Sequence, residues 1–117
     1  MAMYTDDPIE VYLSEVAKVP PMTRERELEC VRYIHSRDEH ADVASKDLLE
    51  ANLALVVAIA RRHPCEHIQI LDLIQTGNNA LFRALQAFTD SDDEDFSAFA
   101  TPFIEKAIVR QIATPGW

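Results

Sequence analysis

"ILDLIQTGNNALFRALQAF", residues 70–88, is the stretch on which the fold turns. Placed at about 100° per residue, Ile70, Ile74, Gly77, Leu81, Leu85 and Phe88 gather around one direction, the face expected to meet a core. The opposite face carries Asp72, Gln75, Thr76, Asn79, Arg83 and Gln86. Leu71, Asn78 and Phe82 sit at the edge of that polar arc. A phenylalanine beside hydrogen-bonding amides has the make-up of an interface, an apolar anchor with a polar surround. A Phe82 tucked beneath a neighbouring helix or loop fits the pattern equally well.

The rest of the chain reads as helices of the same kind. Asp7 is a good N-cap and Pro8 a good first residue for a helix to about Lys18, with Ile9, Tyr12, Leu13 and Val16 on one side. "VPPMT" interrupts it, and Thr23 caps a second helix to about His35. A polar connection, "SRDEHADVAS", leads to a third helix from about Lys46 to His63. Its centre, "LALVVAIA", is apolar almost all round and belongs in the middle of a bundle. Pro64 ends it, the fourth helix is the stretch quoted above, and a fifth runs from about Thr101 towards Ala113. With 117 residues, 48% of them apolar, and two glycines, the expectation is one all-α domain, a compact bundle of about five helices. It divides into an N-terminal helical pair, residues 7–36, and the remaining helices, residues 46–113.

Charge and cysteine usage narrow the function. The net charge of −9 is the wrong sign for a general nucleic-acid binder. Seven arginines from Arg24 to Arg83 are spread along the first three quarters, whereas residues 88–105 hold six acids and no base. No apolar run is long enough to span a bilayer, and "MAMYTDDPIE" lacks the basic and apolar regions of a signal peptide. Cys30 and Cys65 stand alone, as expected of free thiols in a reducing cytoplasm. "HPCEH", residues 63–67, reads as a solvent-facing turn rather than a metal cluster, and "DSDDED" lacks the glycine and glutamate of a calcium loop. No nucleophile–base pair or phosphate loop is present, so a cofactor-free binding module is expected rather than an enzyme.

Four collinear blocks resemble one family. "DLIQTGNNALFRAL", residues 72–85, is similar to the core-polymerase-binding helix of bacterial sigma factors of the sigma-70 family, and "EANLALVVAIARRH", residues 50–63, to the helix before it. "DPIEVYLSEVAKVPPMTREREL", residues 7–28, resembles the segment preceding region 2. "FSAFATPFIEKAIVRQIA", residues 96–113, aligns without gaps on the promoter-melting helix. The resemblance implies that the fourth helix docks on the β′ clamp helices of core RNA polymerase through Asp72, Gln75, Asn78 and Phe82, the last usually a methionine. Thr76 departs from a usual glutamate, and Asn79 and Ala80 from an apolar residue and a glycine.

The resemblance also implies contact with the unpaired non-template strand of the −10 promoter element. The positions carried over are Phe96, Phe99 in place of a tyrosine, Phe103 at the second of two tryptophan positions, Lys106 and Arg110. Aromatics at this spacing also serve as ordinary core. The departures are concentrated here. The family's basic loop is replaced by "TDSDDED", Pro102 takes the first tryptophan position, and Glu105 with Lys106 replaces an arginine–glutamine pair. Five acids from Asp90 to Asp95 are expected to weaken the promoter contact by repelling phosphate. Because proline is accepted at a first helical position, Thr101 is expected to cap a helix starting at Pro102. One continuous kinked helix is the alternative. Two functions fit: a sigma-type initiation module with weakened promoter contact, or a sigma mimic that binds polymerase or an anti-sigma factor without touching DNA.

Overall fold

The computed structural model describes residues 7–88 and 95–114, and among these every regular element is helical. The order is α1 (Pro8–Ala17), α2 (Arg24–Ser36), α3 (Ala41–Ala51), α4 (Leu53–Arg61), α5 (Ile70–Ala87) and α6 (Phe96–Ala113). Two starts follow the sequence signals. The Asp7 carboxylate accepts the Ile9 N–H at 3.1 Å, with Pro8 in the first turn, and the Thr23 hydroxyl accepts the Arg26 N–H at 3.1 Å. Each satisfies a donor that the helix itself leaves unpaired.

The expected single helix over residues 46–63 is two. Asn52 adopts φ −111°, ψ 7° and donates its side-chain amide to the Leu48 carbonyl at 2.9 Å. Its side chain thus competes with the backbone ladder and turns the chain between α3 and α4. The polar stretch before Lys46 is also partly helical, because α3 begins at Ala41. α1 lies against α4, and α2 lies against α3. Arg26 fastens the latter pair by reaching Asp47 of α3 at 2.9 Å, while also pairing with Glu29 on its own helix at 2.5 Å.

The core is built on α5. Leu73, Ile74, Ala80, Leu81, Ala84, Leu85 and Phe88 are buried with Val56, Ile59, Ile104 and Ile108 from α4 and α6. Gly77 lets the three helices approach closely. A Cβ there would lie 2.6 Å from Val56 Cγ1 and 3.3 Å from Ile104 Cγ2.

α6 departs most from expectation. It starts at Phe96, not Pro102, and continues through the proline. An interior proline costs about 3 kcal/mol through its missing N–H and ring clash. Several interactions offset that cost. Asp95 is an N-cap, accepting from Ala98 N at 2.9 Å, and Phe96 and Ala100 are fully buried. The Thr101 hydroxyl donates to the Ser97 carbonyl at 2.7 Å instead of capping a new helix.

A candidate docking face and a basic aromatic groove

The outer face of α5 is open. Asp72, Gln75, Asn79, Arg83 and Gln86 are exposed, and Phe82 stands among them with 47% of its surface accessible. It does not tuck under a neighbouring helix. Two other members of the arc face inward. The Thr76 hydroxyl is hydrogen-bonded to Gln111 Oε1 of α6. Asn78 is half-buried, donating from Nδ2 to the Tyr12 hydroxyl of α1 at 3.4 Å, while its Oδ1 is enclosed without a partner among the described residues. Of the four predicted docking residues, Asp72, Gln75 and Phe82 therefore present themselves to solvent, and Asn78 is held beneath α1.

The aromatics of α6 form a ladder with Phe88. Ring centroids are 5.3 Å apart for Phe88–Phe96, 5.0 Å for Phe88–Phe99 and 5.3 Å for Phe99–Phe103. These tilted and edge-on arrangements suit aromatic quadrupoles. The ladder grades from core to surface. Phe96 is fully enclosed and offers no face to a base, whereas Phe99 and Phe103 are half-buried.

Past Phe103 the surface becomes a groove of about 270 Å³ lined by Arg83, Pro102, Phe103, Lys106, Ala107 and Arg110. It brings together three of the predicted strand-binding residues and adds Arg83 from α5. The helical wheel placed Arg83 on the polar face without relating it to α6; only the packing of the two helices does so. Among the described residues no carboxylate lies within ion-pair distance of Arg83, Lys106 or Arg110. Glu105, one of the acidic departures, is instead 3.4 Å from Arg62 of α4. Of the acidic run, Asp90, Asp92, Asp93 and Glu94 lie outside the described residues. Asp95 is held below the usual carboxylate range by the Ala98 N–H and then by the Ser97 hydroxyl.

In the "HPCEH" turn the Cys65 Sγ lies 3.2 Å from His67 Nδ1. Among the described residues no three His, Cys, Asp or Glu side chains are grouped to hold a metal ion, and no helix is long and apolar enough to cross a membrane.

Residues 48–117 match the family model of sigma-70 region 2. The chain belongs to the sigma-70 family. It is 41% identical over 108 residues to the RNA polymerase sigma factor SigA of Lactococcus lactis subsp. cremoris, covering 92% of this chain and 30% of that protein. It is 43% identical over 108 residues to SigA of Clostridium acetobutylicum, covering 92% of this chain and 28% of that protein. The chain thus spans less than a third of the length of these relatives. Within the sigma-70 family match fall α4, α5 and α6, and with them both the open face of α5 and the groove.

Proposed function

We propose that this chain is a non-enzymatic sigma region 2 module that docks on core RNA polymerase through α5 and contributes to transcription initiation. The observation that carries the proposal is Phe82. A large apolar side chain 47% exposed, on the same open face as Asp72, Gln75 and Asn79 of a helix otherwise firmly seated in the core, is an anchor waiting for a partner. The β′ clamp helices are the partner that the family resemblance implies. Purified clamp helices titrated with Phe82→Ala should bind at least about 30-fold more weakly, a loss of about 2 kcal/mol or more, with thermal stability unchanged within about 0.5 kcal/mol. A large fall in stability with this variant would make Phe82 a core residue and end the docking argument.

Promoter contact in this reading survives in reduced form. The groove supplies three cations for phosphate and one half-buried ring, Phe103, for stacking. It lacks a tryptophan wedge at Pro102, and Phe96 is enclosed. A −10 single strand gripped by Arg83, Lys106 and Arg110 should bind with a log–log salt slope of about −2, since each phosphate contact on a single strand contributes about −0.7. Tight clamp binding with no salt-sensitive oligonucleotide binding would favour the mimic, a module that occupies polymerase or an anti-sigma factor without touching DNA. The proline at the wedge position and the buried Phe96 are the observations on that side.

A further inference from the structure

Glu27 is an acid in the first turns of α2, yet its side chain is almost entirely buried. A carboxylate in such a place is costly unless it is paired and hydrogen-bonded. Both partners are present on the same oxygen. Arg24 Nη1 lies 2.5 Å from Glu27 Oε2, and the Phe96 backbone N–H donates to it at 3.0 Å across 69 residues of sequence. Phe96 is the first residue of α6, so Glu27 satisfies a donor that α6 cannot satisfy itself. Asp95 takes Ala98 N, and the start of α6 is therefore held from two sides, one of them α2.

Pro102 makes that second hold consequential. Its missing N–H removes a rung between the first turns of α6 and the rest of the helix. Phe103, Lys106 and Arg110 line the groove beyond this weak point, and Phe99, packed against Phe103, lies on its other side. An anchor at Phe96 sets the rotation of the first turns, and with it the placement of Phe99 against Phe103. We infer that Glu27, through its hydrogen bond to the start of α6, is a positioning residue for single-stranded DNA binding at the groove. The inference rests on the reduced promoter contact proposed above. Among the described residues no hydrogen bond or ion pair joins Glu27 to the open face of α5, so polymerase docking is expected not to depend on it.

The sign of the effect separates positioning from charge. Removing an acid near a phosphate-binding groove would by Coulomb's law alone tighten oligonucleotide binding and alter its salt dependence. Positioning requires the opposite. Binding of a fluorescent single-stranded −10 oligonucleotide to Glu27→Ala should weaken about tenfold, the size of one lost hydrogen bond to a charged group, with the salt slope unchanged. Affinity for purified clamp helices should stay within about twofold, and Glu27→Gln, whose amide oxygen still accepts from Phe96, should keep oligonucleotide affinity within about twofold. Glu27→Gln decides the matter if Glu27→Ala does not fold. A tenfold loss in Glu27→Gln, equal or tighter oligonucleotide binding by Glu27→Ala, or parallel loss of clamp and oligonucleotide binding would each overturn the inference. Absence of oligonucleotide binding by the unsubstituted chain would overturn it together with the promoter contact, while leaving the docking of α5 untouched.

Discussion

Gly77→Ala tests the close approach that seats α5 in the core. A Cβ at this position would meet Val56 Cγ1 at 2.6 Å, Ile104 Cγ2 at 3.3 Å and Ile108 Cδ1 at 3.4 Å. Carbon atoms are at their best separation at about 3.5–4.0 Å, so the first contact demands a shift of roughly 1 Å. Val56 cannot supply it by rotating. It is fully buried, and a β-branched side chain in a helix has essentially one comfortable rotamer. The backbone of α4 or α5 must move instead, at an overpacking cost of about 1–3 kcal/mol. Replacing a mid-helix glycine with alanine returns about 1 kcal/mol in helix propensity. The net expectation is a loss of up to about 2 kcal/mol, a fall in melting temperature of up to about 10 °C for a domain of this size. Thermal and urea unfolding followed by circular dichroism measure it. Adding Val56→Ala removes the clashing methyl, so the double variant should be more stable than the sum of the single effects by about 1 kcal/mol or more. A Gly77→Ala chain more stable than its parent would refute the reasoning, because the helix-propensity gain would then appear without the overpacking cost and α4 and α5 would have room that the packing denies them.

Two further outcomes follow from the titrating groups. Asp95 is held below the usual carboxylate range by its capping bonds, so its contribution is full above the unfolded value and is lost as pH falls below about 4. Asp95→Asn keeps an N-cap at neutral pH but should flatten the acid limb of the stability–pH profile; an unchanged limb would show that the cap carries no proton linkage. Burial raises the Cys30 thiol above its ordinary range, with Arg26 opposing, and Cys30 is fully enclosed while Cys65 is partly exposed. A thiol-labelling reagent at pH 8 should therefore modify Cys65 at once and Cys30 only as the chain opens, with mass spectrometry locating the label. Rapid labelling of Cys30 would contradict the packing of α2 on α3.

Much of the fold was legible because local and tertiary preferences agree. Asp7, Pro8 and Thr23 start helices by side-chain geometry alone, and the wheel of α5 separates Ile74, Leu81 and Leu85 from Asp72, Gln75 and Gln86 as the packing does. The wheel also placed Phe82 at an edge, and its exposure there excludes the reading in which it tucks beneath a neighbour. Legibility failed where a local rule was outweighed from a distance. Pro102 argued for a helix start, but the buried rings of Phe88 and Phe96 and the Glu27 carboxylate favour a start six residues earlier. Asn52 was visible as a poor helix former, yet the apolar run after it masked the break. No periodicity signal announces that Glu27 meets Phe96, since the pair is joined only by the fold.

α5 is where the two proposed contacts meet. Phe82 points out to the open face, and its immediate neighbour Arg83, turned about a quarter of the way round the helix, lines the groove with α6. A rigid helix seated by Gly77 holds both at once, so a shift of α5 on docking would be transmitted directly to one of the three groove cations. The net charge of −9 does not forbid this arrangement, because screening limits exposed charges to a reach of about 8–10 Å at ordinary ionic strength. What counts at the groove is the balance of nearby charge. Glu105 is engaged by Arg62, whereas Arg83, Lys106 and Arg110 are left without carboxylate partners among the described residues. The side chains that line the groove are thus net positive, even though the chain as a whole is strongly acidic. A surface of that kind does not bind nucleic acid generally. On the function proposed above, it would favour a strand already brought close by the polymerase on which the module docks.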